Sequence, residues 1–146
     1  QTDDFRREHG LKPCAFLTIW NVRHDWDGED YLDMTMVQRS SDFATAGCIN
    51  QVQYAELLMM VAKEVGMKPG KFTWKPVNVQ LYDRHLDQAI EMLRREPVSD
   101  IDATIKLRKE ATSFDEMTSD DLKVLDKEAI QKVKTKNPQL PFPLGI

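Results

Sequence analysis

Residues 31–66 read YLDMTMVQRSSDFATAGCINQVQYAELLMMVAKEVG, and the apolar period changes part-way along them. From Tyr31 to Val37 it is two: Leu32, Met34 and Met36 fall on one side, Tyr31, Asp33, Thr35 and Val37 on the other. That alternation predicts a strand with one face turned to a core. From Asn50 to Gly66 the spacing becomes three and four, through Val52, Ala55, Leu58, Met59, Ala62 and Val65. This is the pattern of an amphipathic helix, with Gly66 as its expected stop. Met59 and Met60 read as core filler, because a flexible thioether fits irregular gaps. A strand therefore runs into a helix through the polar segment 38–50.

Working towards the N-terminus, LKPCAFLTIWNV (11–22) holds a run of β-branched, aromatic and apolar residues from Ala15 to Val22. It reads as a second strand. Asp27-Gly28 between the two is a turn signal, so 15–37 is expected to form a hairpin. Both faces of 15–22 are apolar and call for cover. Towards the C-terminus, Pro69-Gly70 reads as a turn before a strand in KFTWKPVNVQLY (71–82), where Pro76 argues for an edge or a bulge. His85 to Arg95 reads as a helix with Leu86, Ile90 and Leu93 on one stripe and Pro97 beyond its end. IDATIKLRK (101–109) alternates again. In SFDEMTSDDLKVLD (113–126), Ser113 with Glu116, and Ser119, look like helix-start chemistry. The tail PQLPFPLGI is punctuated by proline and reads as extended. Mixed order with a leading hairpin makes this an α+β chain rather than an alternating parallel sheet.

A chain of 146 residues suits one domain with a real core. Its net charge of −4 creates no basic field, which argues against nucleic acid or an anionic membrane surface as partner. No stretch is long and apolar enough to read as a membrane span, and QTDDFRREHG shows no signal-peptide pattern. Two cysteines, Cys14 and Cys48, make no disulfide framework and no CxxC pair, so a reducing cytoplasm is the expected compartment.

Taken singly, the polar residues have structural explanations. Cys14 can be a small apolar residue at a core edge, Arg39 a surface ion-pair partner, Asp42 or Asn50 a helix cap. Together they narrow the chemistry. An arginine and a serine at a strand end can hold a phosphate, whose oxygens match the guanidinium fork. A cation beside a thiol favours thiolate and so makes a nucleophile. An asparagine amide presents a donor and an acceptor, which matches the O4 and N3–H edge of uracil.

From Leu11 to Pro97 the sequence resembles the C-terminal half of thymidylate synthases. Lys12-Pro13-Cys14-Ala15 stands where the family has its Pro-Cys-His nucleophile segment, and Gln38-Arg39-Ser40-Ser41-Asp42 matches Gln-Arg-Ser-x-Asp. Asn50 follows at the family spacing, ahead of QVQYAELL. Gly70-Lys71-Phe72 matches Gly-x-Phe, Gln80-Leu81-Tyr82 stands for His-x-Tyr, and HLDQAIEMLRREP and the terminal Leu-Gly-Ile are similar to the family's own. Several ordered motifs are far more specific than one.

The resemblance implies a mixed sheet packed with helices, the C-terminal part of a larger fold, spanning 1–146 with 1–10 as a linker to an upstream part. It also implies methylation of deoxyuridylate with 5,10-methylenetetrahydrofolate as co-substrate and no metal. Cys14 would add to pyrimidine C6. Arg39 and Ser40 would hold the phosphate, with Arg39 also supporting the thiolate. Asn50 would read the base, Gln80 and Tyr82 would face the sugar, Asp42 would order folate and base, and Ile146 would close over the folate. The implied partners are deoxyuridylate, reduced folate and a second copy of the chain, packed sheet to sheet.

Three positions depart from the family pattern: Ala15 replaces a histidine, Ala46-Gly47-Cys48-Ile49 replaces Gly-Leu-Pro-Phe, and Gln80 replaces a histidine. Arg6-Arg7 lies too near Cys14 to be the arginine pair that the family's partner subunit contributes, and reads as a solvated charged segment. Two other readings stay open. A hydroxymethylase of the same superfamily would quench the intermediate with water; its deoxycytidylate forms tend to carry aspartate where Asn50 stands. A non-catalytic nucleotide-binding or dimerisation module would account for the departures.

Overall fold

In the computed structural model, residues 13–98, 105–107, 113–118, 121–124 and 127–143 are described. The expected hairpin is there. β1 (Ala15–His24) pairs antiparallel with β2 (Asp30–Gln38), from Ala15 opposite Gln38 to His24 opposite Asp30, with an irregularity between Ala15 and Leu17. The twofold repeat of β2 sets its burial: Leu32, Met34, Met36 and Gln38 are buried, and the alternate residues are half-buried. β3 (Ser41–Asp42) follows, and a π-helical turn over Phe43–Gly47 leads into α1 (Cys48–Glu64).

α1 lays Leu58 and Ala62 against Leu32 and Met34, and Trp20, Tyr54, Val61, Met67 and Phe72 pack around them. Burial of Leu32, Met34 and Leu58 contributes roughly 1.5–3 kcal/mol each. Two residues of the expected stripe end outside this seam: Val52 is 45% and Val65 51% exposed. The helix stops as its sequence predicts. Gly66 takes φ +72°, the Met67 N–H donates to the Ala62 carbonyl and the Gly66 N–H to the Lys63 carbonyl, which satisfies the last carbonyls.

Pro69-Gly70 does not form the expected turn. It lies inside β4 (Lys68–Pro76), which runs parallel to β2 in the sheet order β1-β2-β4. The cause is close approach. A Cβ on Gly70 would meet the Asp33 Oδ1 at 2.1 Å, so glycine here makes room for the carboxylate that accepts the Lys71 N–H at 2.7 Å. Pro76 closes this edge strand, as expected, and 77–78 bend before β5 (Val79–Gln80), which pairs parallel with β3.

A 3₁₀ turn over Asp83–His85 opens α2 (Leu86–Arg94). Its expected apolar stripe is not buried: Leu86 is 45%, Ile90 46% and Leu93 83% exposed. Of the segment 101–109, Ile105–Leu107 forms β6, antiparallel to β7 (Leu122–Val124). The helix start expected at Ser113 gives only a 3₁₀ turn over Phe114–Glu116, with no side-chain cap, and Ser119 lies outside the described residues. The helix that does form is α3 (Lys127–Lys136), whose sequence is charged on most of its surface and carries a weak apolar signal. The tail from Pro138 to Pro143 has no regular secondary structure.

Candidate active site

The hairpin register brings the ends of β1 and β2 together. Cys14, half-buried, immediately precedes β1, and Arg39, exposed, immediately follows β2. The Arg39 N–H donates to the Cys14 carbonyl at 2.9 Å, and Arg39 Nε donates to the Pro13 carbonyl at 3.4 Å. Thiol and guanidinium residues, far apart in sequence, are therefore backbone neighbours. Gln38 holds the corner from below. It is buried, its Nε2 donates to the Ser40 carbonyl and its Oε1 accepts from Trp74 Nε1, both at 2.9 Å.

A second group forms around β3 and β5. The Ser41 N–H donates to the Asn78 carbonyl at 2.8 Å, and Asp42 stands opposite Gln80 in the parallel register. Asp42 Oδ2 accepts from Thr45 Oγ1 at 2.5 Å, in the turn that leads to α1. Tyr82 meets the His85 ring edge-on at 5.6 Å between centroids, and the Arg84 guanidinium lies 5.3 Å over the Tyr82 ring. Asn50 sits in the first turn of α1, half-buried. The divergent segment before it leaves Cys48 and Ile49 exposed, the latter at 66%, beside a shallow cavity of about 340 Å³ lined by Cys48, Ile49, Val52, Gln53 and Glu56. The motif thus gathers into two groups, Cys14 with Arg39, and Asp42 with Gln80 and, through His85, Tyr82, joined by the run Arg39–Asp42. Ile146 and Arg6-Arg7 lie outside the described residues.

Sequence reasoning took His85 only as a helix start. It is fully buried, stacked edge-on between Tyr82 and Phe142, with Nδ1 3.8 Å from Asp42 Oδ1 and Nε2 2.7 Å from the Pro143 carbonyl. The available signal was its place three residues after Tyr82, at the start of a helix with few other reasons to hold a histidine.

On the hairpin and the open face of the sheet the fold perturbs several charges. Asp33 is held below the usual carboxylate range, first by the Lys71 N–H and then by Arg23, and Arg23 is raised in turn by Asp33 and Asp25. Asp27 is lowered by the Glu29 N–H, and Tyr31, which donates to Asp27, is raised. Lys68 is raised by Glu29. Among the described residues no cluster of three histidine, cysteine or acidic side chains could hold a metal, and no helix is long and apolar enough to cross a membrane.

The sequence pattern of the thymidylate synthase family matches residues 1–137. The chain belongs to that family. Thymidylate synthase of Lactococcus lactis subsp. lactis is 39% identical over 147 residues, covering 100% of this chain and 50% of its own length. That of Streptococcus pneumoniae is 40% identical over 142 residues, covering 97% of this chain and 48% of its own. Among solved structures, thermostable thymidylate synthase A from Bacillus subtilis superposes with a TM-score of 0.70 at 28% identity, over 80% of this chain and 39% of that one. The chain thus spans about half the length of the thymidylate synthases it matches. The mixed sheet packed with helices agrees with the fold that the motifs imply.

Proposed function

We propose that these residues form the thiol-bearing half of an enzyme that methylates deoxyuridylate to thymidylate. The observation that carries the reading is the backbone hydrogen bond from the Arg39 N–H to the Cys14 carbonyl, which makes the motif's arginine and cysteine neighbours at an open strand end; a cation held near a thiol favours the thiolate. The Cys14 thiolate adds to C6 of the pyrimidine, and the electron pair released makes C5 nucleophilic. 5,10-Methylenetetrahydrofolate supplies the one-carbon unit and the hydride, leaving as dihydrofolate; C5 loses its proton and Cys14 is released by elimination. Arg39 and Ser40 hold the phosphate and Asn50 reads the uracil edge. Gln80 and Tyr82 face the sugar, and Asp42 orders folate and base.

Two features support a folate face. One is the inward carboxylate oxygen of Asp42, which has no hydrogen-bond partner, and the other is the apolar surface at Cys48, Ile49 and Val52. Phe16, Leu17 and Ile19 of β1 are 63%, 45% and 53% exposed, which supports a homodimer packed through its sheets.

Mixing the full chain with deoxyuridylate and methylenetetrahydrofolate should generate dihydrofolate absorbance. With a 5-fluorinated deoxyuridylate the same mixture should trap a covalent adduct on Cys14, readable by mass spectrometry. A product one oxygen heavier than thymidylate would assign hydroxymethylation instead. An unmodified Cys14 in folded protein would leave the binding-module reading.

A further inference from the structure

Buried polar atoms in folded proteins are almost always hydrogen-bonded, because leaving one unpaired costs about 1–3 kcal/mol. Among the described residues four buried side-chain atoms have no such partner: Ser41 Oγ, Asp42 Oδ1, His85 Nδ1 and Gln88 Oε1. All four come from β3 or from the turn and first residues of α2. They are gathered in one part of the molecule. Two of them, Asp42 Oδ1 and His85 Nδ1, stand 3.8 Å apart, and His85 has no exposed surface.

The tautomer follows from the far side of the ring. His85 Nε2 lies 2.7 Å from the Pro143 carbonyl, which can only accept, so Nε2 carries a hydrogen. Nδ1 is thereby turned to the carboxylate. At 3.8 Å the two atoms are too far apart for a hydrogen bond, and closing that gap by about 1 Å brings them within hydrogen-bond distance. The ring is clamped by edge contacts to Tyr82 at 5.6 Å and Phe142 at 5.4 Å. Its two nitrogens therefore address different parts of the molecule, the C-terminal segment on one side and Asp42 on the other.

We propose that His85 is a positioning residue that couples the C-terminal segment to Asp42 and Tyr82, so that seating of the tail and orientation of the folate-ordering carboxylate are one event. The assignment of Asp42 and Tyr82 to ligands rests on the function proposed above; the coupling itself rests on the contacts of His85. The tail is also bonded at the far end of α2, where Arg95 donates to the Pro138 carbonyl.

Two variants separate the two nitrogens. In His85→Gln the amide nitrogen falls near the place of Nε2 and can still donate to Pro143; in His85→Asn it falls near Nδ1 and faces Asp42. The tail is read by hydrogen exchange of the full chain at the residue-85 amide, which is bonded to the Tyr82 carbonyl and lies beside the Phe142 ring of the tail. Loss of one buried hydrogen bond should speed that exchange about five- to tenfold in His85→Asn and leave His85→Gln within about twofold of the parent. In turnover, His85→Asn should raise the folate KM about five- to tenfold at an unchanged deoxyuridylate KM, whereas His85→Gln should lower kcat with both KM values kept. A residue that merely fills space would give the two variants the same exchange, the same kinetics and the same loss of melting temperature, and that result overturns the proposal. A parent protein without turnover overturns the proposed reaction alone, because the exchange contrast still decides whether His85 holds the tail.

Discussion

Two neighbouring regions of this molecule treat burial in opposite ways. Where β2 meets α1, Leu32, Met34, Leu58 and Ala62 close on one another and the one buried polar neighbour, Gln38, has both ends of its amide bonded. A few residues further on, Ser41 Oγ and Asp42 Oδ1 are buried without a hydrogen-bond partner, as is Nδ1 of His85, which the fold brings near Asp42. The first region is built for stability. The second carries a cost that the first offsets, and it lies beside the residues that the family motif singles out. Within one small fold, buried polar groups are paired at the seam of β2 and α1 and left unpaired around Asp42 and His85.

The contrast can be broken from either side. The largest effect is expected at the strand end: Cys14→Ser should lower turnover by at least about a thousandfold, because a hydroxyl is a much weaker nucleophile than a thiolate. The melting temperature should not change, since Cys14 is only half-buried and lies outside the core. Met34→Ala strikes the other region. It removes a side chain that is 1% exposed and should cost about 2–5 kcal/mol in urea unfolding, while covalent trapping at Cys14 persists in whatever remains folded.

A smaller effect is expected on the open face of the sheet. Asp33→Asn loses the charge that Arg23 and the Lys71 N–H stabilise, about 0.5–1 kcal/mol for a partly solvated group. Because folding lowers the Asp33 pKa, this contribution is fully present above the ordinary value of 3.8 and is lost as pH falls through the lower, folded value. The urea midpoints of parent and variant should therefore differ at pH 7 and converge in acid. Smallest is Ser41→Ala. Its hydroxyl has no partner to lose, so stability should stay within about 0.5 kcal/mol of the parent or rise. A loss as large as that of Met34→Ala would mean that Ser41 belongs to the scaffold after all.

Much of the fold was legible because local rules and tertiary packing agreed. The alternation of β2, the change of period into α1 and the stop at Gly66 each appear where the residues put them. The misreadings share a cause in long-range pairing. Pro69-Gly70 has a turn's composition, yet it pairs with β2, where Asp33 needs a neighbour without a Cβ. The stripe of α2 is apolar, but no described residue buries it, and α3 forms from a segment in which only Ala129, Ile130 and Val133 are apolar. Of the candidate site, the residue types were legible and their grouping was not. The hydrogen bond from Arg39 to Cys14 depends on hairpin register, and the contact of Asp42 with His85 on a parallel pairing of two-residue strands.

By itself, then, the sequence determined the family, the α+β class, the core face of β2 and the identity of the nucleophile candidate, because each is written in residue types at short or ordered spacing. Only the tertiary structure decided that the thiol and guanidinium residues adjoin, that Gly70 belongs to a strand, and that a buried histidine faces Asp42 with one nitrogen and the chain's C-terminal segment with the other. Those are distances between segments far apart along the chain. They are fixed by strand pairing and core packing, which no local pattern of residues contains.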